Sequence, residues 1–331
     1  TSSTPPAKRA RILAELRQGK LELIVGTHSL LQEGIQFESL ALVVIDEQHK
    51  FGVYQRCQLL NADPKPHHLV MTATPIPRTL ALTVYADLSL SLMKELPAGR
   101  KPIRTFWITR RKQEEVLKHI LQKVKEGHQA YFIFPVIEET EKSDLLAATR
   151  EYEKLRRGVF AGLKMGLVHG RLSHEAKESV MKAFNQGDLQ VLVATSVIEV
   201  GINNPNTNLM VIENAERFGL AQLHQMRGRI GRGNKEAECF LFGEPKTIEG
   251  QKRLRILTKT QDGFVIAEED LKLRGPGDFW GTRQSGEPLF KIANPITDQA
   301  ILFEARQTAL ELMRTEKGTS SEGIQIKNFL E

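Results

Sequence analysis

The 331 residues carry 46 Lys and Arg against 40 Asp and Glu, a net charge of +6, with 40% hydrophobic and 26% charged residues. This is ordinary globular composition, enough for about two domains, and it excludes a disordered tail or a fibre. No apolar run approaches the ~18 residues of a membrane span, no leader-like start is present, and Cys57 and Cys239 are too few and too isolated for a disulfide framework or structural zinc, so a soluble protein of a reducing compartment is expected.

In chain order, hydroxyl and proline residues at 3–6 open a predicted helix whose apolar face is Ile12, Leu13 and Leu16 and whose end is Gly19. Strands are expected at 21–25, 40–45 and 68–71. The second is apolar throughout, as in a parallel strand covered on both faces. A helix is expected around 78–85. The Pro- and Gly-containing stretch 95–102 reads as a linker. Beyond it strands at 104–108, 130–134, 165–168, 189–194, 208–212 and 238–242 alternate with helices near 113–124, 144–157, 174–184 and 220–229, the pattern of a parallel sheet with crossover helices. Helices at 246–260 and 263–273 follow, then a Gly-rich run at 274–286, a helix at 298–315 and a polar end. The domains expected are 1–98, 99–245 and 246–331.

Five short motifs carry chemistry. Asp46-Glu47-Gln48-His49 follows the 40–45 strand, where open α/β sheets bind ligands, and two adjacent carboxylates there can divide Mg²⁺ binding from water activation. Alone, an acid pair ending a strand is also an ordinary turn. Thr72-Ala73-Thr74-Pro75 repeats the placement with hydroxyls, and reads equally as a Pro-ended turn. Thr195-Ser196 and Gly26-Thr27-His28 leave their strands with amides and hydroxyls suited to a phosphodiester oxygen. The run 225–233, Gln-Met-Arg-Gly-Arg-Ile-Gly-Arg-Gly, ends a helix, and its glycines let Arg229 and Arg232 approach an anion; arginines so placed stabilise a transferring phosphoryl group. Because these glycines follow a helix and not a strand, a dinucleotide-binding reading fails. A G-x-x-x-x-G-K-[ST] loop is absent from the 331 residues, and truncation of a larger first domain is the expected reason.

The order of these motifs resembles the series of superfamily 2 helicases. The strings at 44–53 (VIDEQHKFGV), 71–82 (MTATPIPRTLAL), 212–220 (IENAERFGL) and 273–286 (LRGPGDFWGTRQSG) are closely similar to the RecG family of ATP-dependent DNA helicases. The resemblance implies an α/β fold of two RecA-like parallel-sheet domains, the first partial, followed by a helical C-terminal translocation module. It implies ATP and Mg²⁺, with Asp46 on the metal, Glu47 polarising water, and Gln225, Arg229, Arg232 and Gly201 completing the nucleotide site. Thr72 and Thr74 would couple nucleotide state to closure. Thr27, His28 and Thr195 would touch the DNA backbone, and Arg274, Arg283 and Gln284 would belong to the translocation motif.

The implied activity is remodelling of branched DNA, stalled forks and Holliday junctions, in recombination and repair, by a cytoplasmic, monomeric enzyme without membrane contact. The family's wedge domain is not in the chain, and because the phosphate-binding loop is missing as well, residues 1–331 alone are expected to hydrolyse little ATP. Asn203 stands where the family usually has Asp, which removes a charge from any contact made there. Two other readings remain open at this point. One is the related transcription-repair coupling factor, which usually has Glu at the position of Gln48. The other is a non-hydrolysing DNA-binding or regulatory module of helicase shape.

Overall fold

The computed structural model describes residues 4–27, 30, 35–47, 65–72, 89, 91–93, 95, 99–135, 141–195, 204–233, 235–274 and 298–314. The chain divides into two compact units, Thr1–Thr74 and Pro75–Glu331.

In the first unit, helix α1 (Pro6–Arg17) starts on a proline at its first position, where no N–H is needed, and uses no side-chain cap. Gly19, at φ +65°, turns the chain away from it. Strands β1 (Leu42–Asp46) and β2 (His67–Met71) pair in parallel, with Asp46 opposite Met71. Two expectations fail here. Residues 21–25 join no sheet, and Leu23 and Val25 are exposed; among the described residues no strand lies beside them to satisfy a ladder. β1 is not covered on both faces: Leu42 and Val44 are about half exposed, and only Val43 is buried. The helix expected at 78–85 lies outside the described residues.

The second unit is built on six parallel strands. They are β3 (Ile103–Ile108), β4 (Gln129–Phe134), β5 (Met165–Val168), β6 (Val191–Thr195), β7 (Thr207–Ile212) and β8 (Ala237–Phe242), in the order β3-β8-β7-β4-β6-β5. Helices α2 (Arg110–Lys125), α3 (Glu141–Arg157), α4 (His174–Asn185) and α5 (Leu220–Arg227) make the crossovers, and α6 (Ile248–Lys259) and α7 (Gly263–Arg274) follow β8. Side chains alternate across each strand, so two cores form. Phe132, Val193 and Val211 pack with Ile120 and Val124 of α2 and with Phe160. Tyr131, Leu192 and Met210 pack with Phe184, Leu220, Leu223 and, from the later helices, Leu254, Leu257 and Ile266. Burial on both faces explains why β4, β6 and β7 are buried at every position.

Local chemistry sets the helix ends. Ser173 accepts the Ala176 N–H at the start of α4, and Thr247 accepts that of Gly250 at the start of α6. The edge strand β3 is closed by a side chain: Gln261 accepts the Ile103 N–H and donates to the Ile103 carbonyl, each at 3.0 Å. A last helix, α8 (Gln299–Arg314), completes the described elements. Among the described residues no helix is long and apolar enough to cross a membrane.

Candidate functional site

The first unit brings three of the expected residues to one end of its sheet. Asp46 ends β1, Glu47 follows it, and Thr72 follows Met71, the partner of Asp46. The Glu47 N–H donates to Asp46 Oδ1 at 2.9 Å, and Glu47 takes a left-handed backbone, φ 53°, that costs a residue with a side chain. Asp46 is exposed and Glu47 only partly so. A hard oxygen donor with one oxygen engaged by an amide suits Mg²⁺, which takes one or two protein carboxylates and completes its shell with phosphate and water. Thr27 is exposed, its carbonyl accepting the Leu30 N–H at 2.9 Å. His28 and Thr74 lie outside the described residues.

In the second unit the arginine loop is shaped by its glycines. Gly231 has φ +68°, and a Cβ there would meet Ala237 at 3.0 Å and Ile103 at 3.2 Å. A Cβ on Gly233 would stand 2.6 Å from the Pro205 carbonyl. The Gly231 N–H donates to the carbonyl of Thr207, the first residue of β7, so the loop lies at the amino-terminal rim of the sheet. Arg229 and Arg232 therefore share that rim. Burial, with Arg229 and Arg100 beside it, pulls Arg232 below the usual guanidinium range. Burial pushes the Tyr131 phenol up to about 12, with both loop arginines close by. Gln225 is half-buried on α5, two residues before Arg227.

Thr195 sits at the other rim. It ends β6 only 4% exposed, and the Val168–Ala194 pairing sets His169 alongside it. Among the described residues neither Thr195 Oγ1 nor His169 Nδ1 has a hydrogen-bond partner. Burial, then Lys177 and Arg171, hold the His169 imidazole below its ordinary pKa. A five-residue strand separates the two rims by roughly 13 Å. Residues expected to meet phosphoryl charge and a residue expected to meet DNA thus occupy opposite ends of one sheet. Arg274 closes α7; Gly201, Asn203, Arg283 and Gln284 lie outside the described residues.

Sequence reasoning missed three groups around the loop. Arg227 is 3% exposed and donates to the carbonyls of Leu257 at 2.8 Å and Thr260 at 3.0 Å, where the end of α6 is electronegative. Its Nη2 lies 3.0 Å from His224 Nδ1; burial, then Arg227, brings His224 down to about 4, so the neutral ring accepts. Arg100, in the linker stretch, donates to the Gly228 carbonyl at 3.1 Å. Only the arginines themselves signalled any of this, and the linker gave no sign of where Arg100 points.

Family comparisons decide what kind of protein carries this geometry. Residues 111–234, most of the six-stranded sheet, match the helicase conserved C-terminal domain, and residues 260–327 match the C-terminal part of domain 3 of the ATP-dependent DNA helicase RecG. The chain is 51% identical over 313 residues to the RecG of Synechocystis sp., covering 95% of this chain and 38% of that protein. It is 46% identical to the Bacillus subtilis RecG, covering 96% and 46%. The chain belongs to the RecG family of DNA helicases. A solved RecG bound to a three-way DNA junction superposes with a TM-score of 0.67 at 44% identity, over 91% of this chain and 38% of the other. The RecG-type fold expected, parallel α/β sheets followed by helices, is the fold observed. The chain spans less than half the length of the RecG relatives it matches.

Proposed function

We propose that this chain is the helicase portion of an ATP-dependent DNA translocase that remodels branched DNA, forks and Holliday junctions, as a cytoplasmic monomer in recombination and repair. The observation that carries the reading is the presence, in one RecG-family chain, of an acid pair on a strained turn at the rim of one parallel sheet and a glycine-shaped arginine loop at the rim of another. In this reading Asp46 holds Mg²⁺ and Glu47 takes up the proton side of water activation. Gln225 and Gly201 line the nucleotide, and Thr72 and Thr74 respond to its state. Mg²⁺, when bound, neutralises charge on the phosphate oxygens. Arg229 and Arg232 stabilise the charge that develops on the γ-phosphoryl group, an effect worth about 10³–10⁵ in rate in related enzymes.

DNA is met elsewhere. Thr195 on the opposite rim, with Thr27 and His28, contacts backbone phosphates without reading bases, and Arg274, Arg283 and Gln284 carry movement to the duplex. The solved RecG bound to a three-way junction supports branched DNA as the substrate. Separate rims let hydrolysis and DNA grip be altered one at a time. The domains would run 1–98, 99–245 and 246–331, the last acting as the translocation module.

The test is DNA-stimulated ATP hydrolysis and fork unwinding by a protein of the relatives' full length. Glu47→Gln and Arg232→Ala are each expected to lower kcat about 10³-fold while DNA binding persists. Binding should weaken steeply between 50 and ~200 mM salt. Full turnover in both variants would overturn the motor reading.

A further inference from the structure

The stretch before β3 delivers a third guanidinium to the arginine loop. Arg100 Nη2 donates to the Gly228 carbonyl. Gly228 caps α5, and its carbonyl belongs to the acceptors that a helix end leaves without an intrahelical donor. The next residue is Arg229. Arg100 also lies near enough to Arg232 and His224 to act on the charge of both. Guanidiniums of like charge repel, so a loop presenting two of them beside a third keeps its shape only if its backbone is anchored. The far side of the loop is anchored by the Gly231 N–H on the Thr207 carbonyl. The near side is anchored by Arg100.

We propose that Arg100 is a positioning residue for Arg229 and Arg232: it clamps the peptide where the loop leaves α5, so that both arginines are presented in register to the nucleotide's phosphates. The proposal rests on the reading of Arg229 and Arg232 as phosphate-facing. Arginine suits the task because its rigid planar fork holds a carbonyl in one direction, whereas a lysine ammonium binds as a point charge on a flexible stem. A single helix-end hydrogen bond contributes little to the stability of the whole fold. The expected consequence of losing it is therefore in turnover.

The experiment compares wild type, Arg100→Ala, Arg100→Lys, Arg232→Ala and the Arg100→Ala/Arg232→Ala double variant in DNA-stimulated ATP hydrolysis by the full-length enzyme. Arg100→Ala should lower kcat about 10- to 100-fold, the scale of a misplaced reacting group. KM for ATP should stay within about twofold and the thermal midpoint within about 3 °C. Arg100→Lys, which keeps the charge and a donor but not the planar fork, should recover only part of kcat. In the Arg232→Ala background the Arg100→Ala change should cost much less than it does alone, leaving only the part of the loss that runs through Arg229. An unchanged kcat, a raised KM with kcat intact, a loss of kcat that tracks a fallen thermal midpoint, or two losses that multiply in the double variant would each overturn the clamp. Full turnover in Arg232→Ala would instead refute the phosphate-facing reading, and a normal Arg232→Ala loss beside an intact Arg100→Ala enzyme refutes the clamp alone.

Discussion

Strands β1 and β6 are each five residues long, aliphatic, centred on a valine and ended by a polar residue assigned to the site. β6 lies between β4 and β5 with helices on both faces and is buried at every position, Thr195 included. β1 pairs only with β2 among the described residues, and Leu42, Val44 and Asp46 on one face are exposed. Burial is thus a property of the sheet a strand joins and of what covers it, and strand composition alone does not decide it. The same difference reaches the candidate site residues: Thr195 lies at a dry rim and Asp46 at a wet one.

Substitutions can break or sharpen this contrast. The largest effect is expected from Phe132→Ala in β4, which is fully buried against Phe160; urea denaturation should show a loss of about 3–5 kcal/mol. Next is Glu213, just beyond β7. Burial first, then Glu151 and Glu216, raise its carboxyl to about 7, against the partial opposition of Lys154. A raised acid binds its proton more tightly in the folded state, so stability falls as pH rises from about 4.5 to about 7 and the full cost applies above that window. Glu213→Gln should remove this slope and gain at most about 3 kcal/mol above pH 7, with no gain below pH 4. A variant with the wild-type pH slope would show that the wide sheet's rim is as wet as the narrow one's. The finest comparison pairs the two central valines. Val193→Ala should cost about 2 kcal/mol and Val44→Ala less than about 0.5. Equal costs would mean that β1 is covered after all.

Much of the second unit was legible in the sequence because local pattern and tertiary role agree there. Residues 165–168 form the predicted strand, and the helices expected at 174–184, 220–229, 246–260 and 263–273 differ from α4 to α7 by one or two residues at most ends. The stretch 21–25 misled because alternating apolar residues describe a strand only where a neighbouring strand accepts its hydrogen bonds. The acid pair and the glycine-flanked arginines could be picked out as candidates because each is a run of adjacent residues. Glu47's left-handed backbone could not, since a positive φ at a carboxylate has no composition signal. Arg227 and Arg100 were hidden for a related reason: one arginine inside the motif turns inward to helix-end carbonyls, and one far outside it turns toward the loop.

By itself the sequence determined the element order, the parallel α/β class, the family resemblance and the identity of the charged groups, because hydrophobic period, turn residues and short motifs are local properties of the chain. Tertiary structure alone decided that Thr195 and the loop arginines stand at opposite ends of one sheet, that β1 is exposed while β6 is buried, and that Arg100 reaches Gly228, 128 positions further along the chain. Those outcomes depend on which strands become neighbours and on which carbonyls are left without donors, and both are settled only when the packed sheet closes over its core.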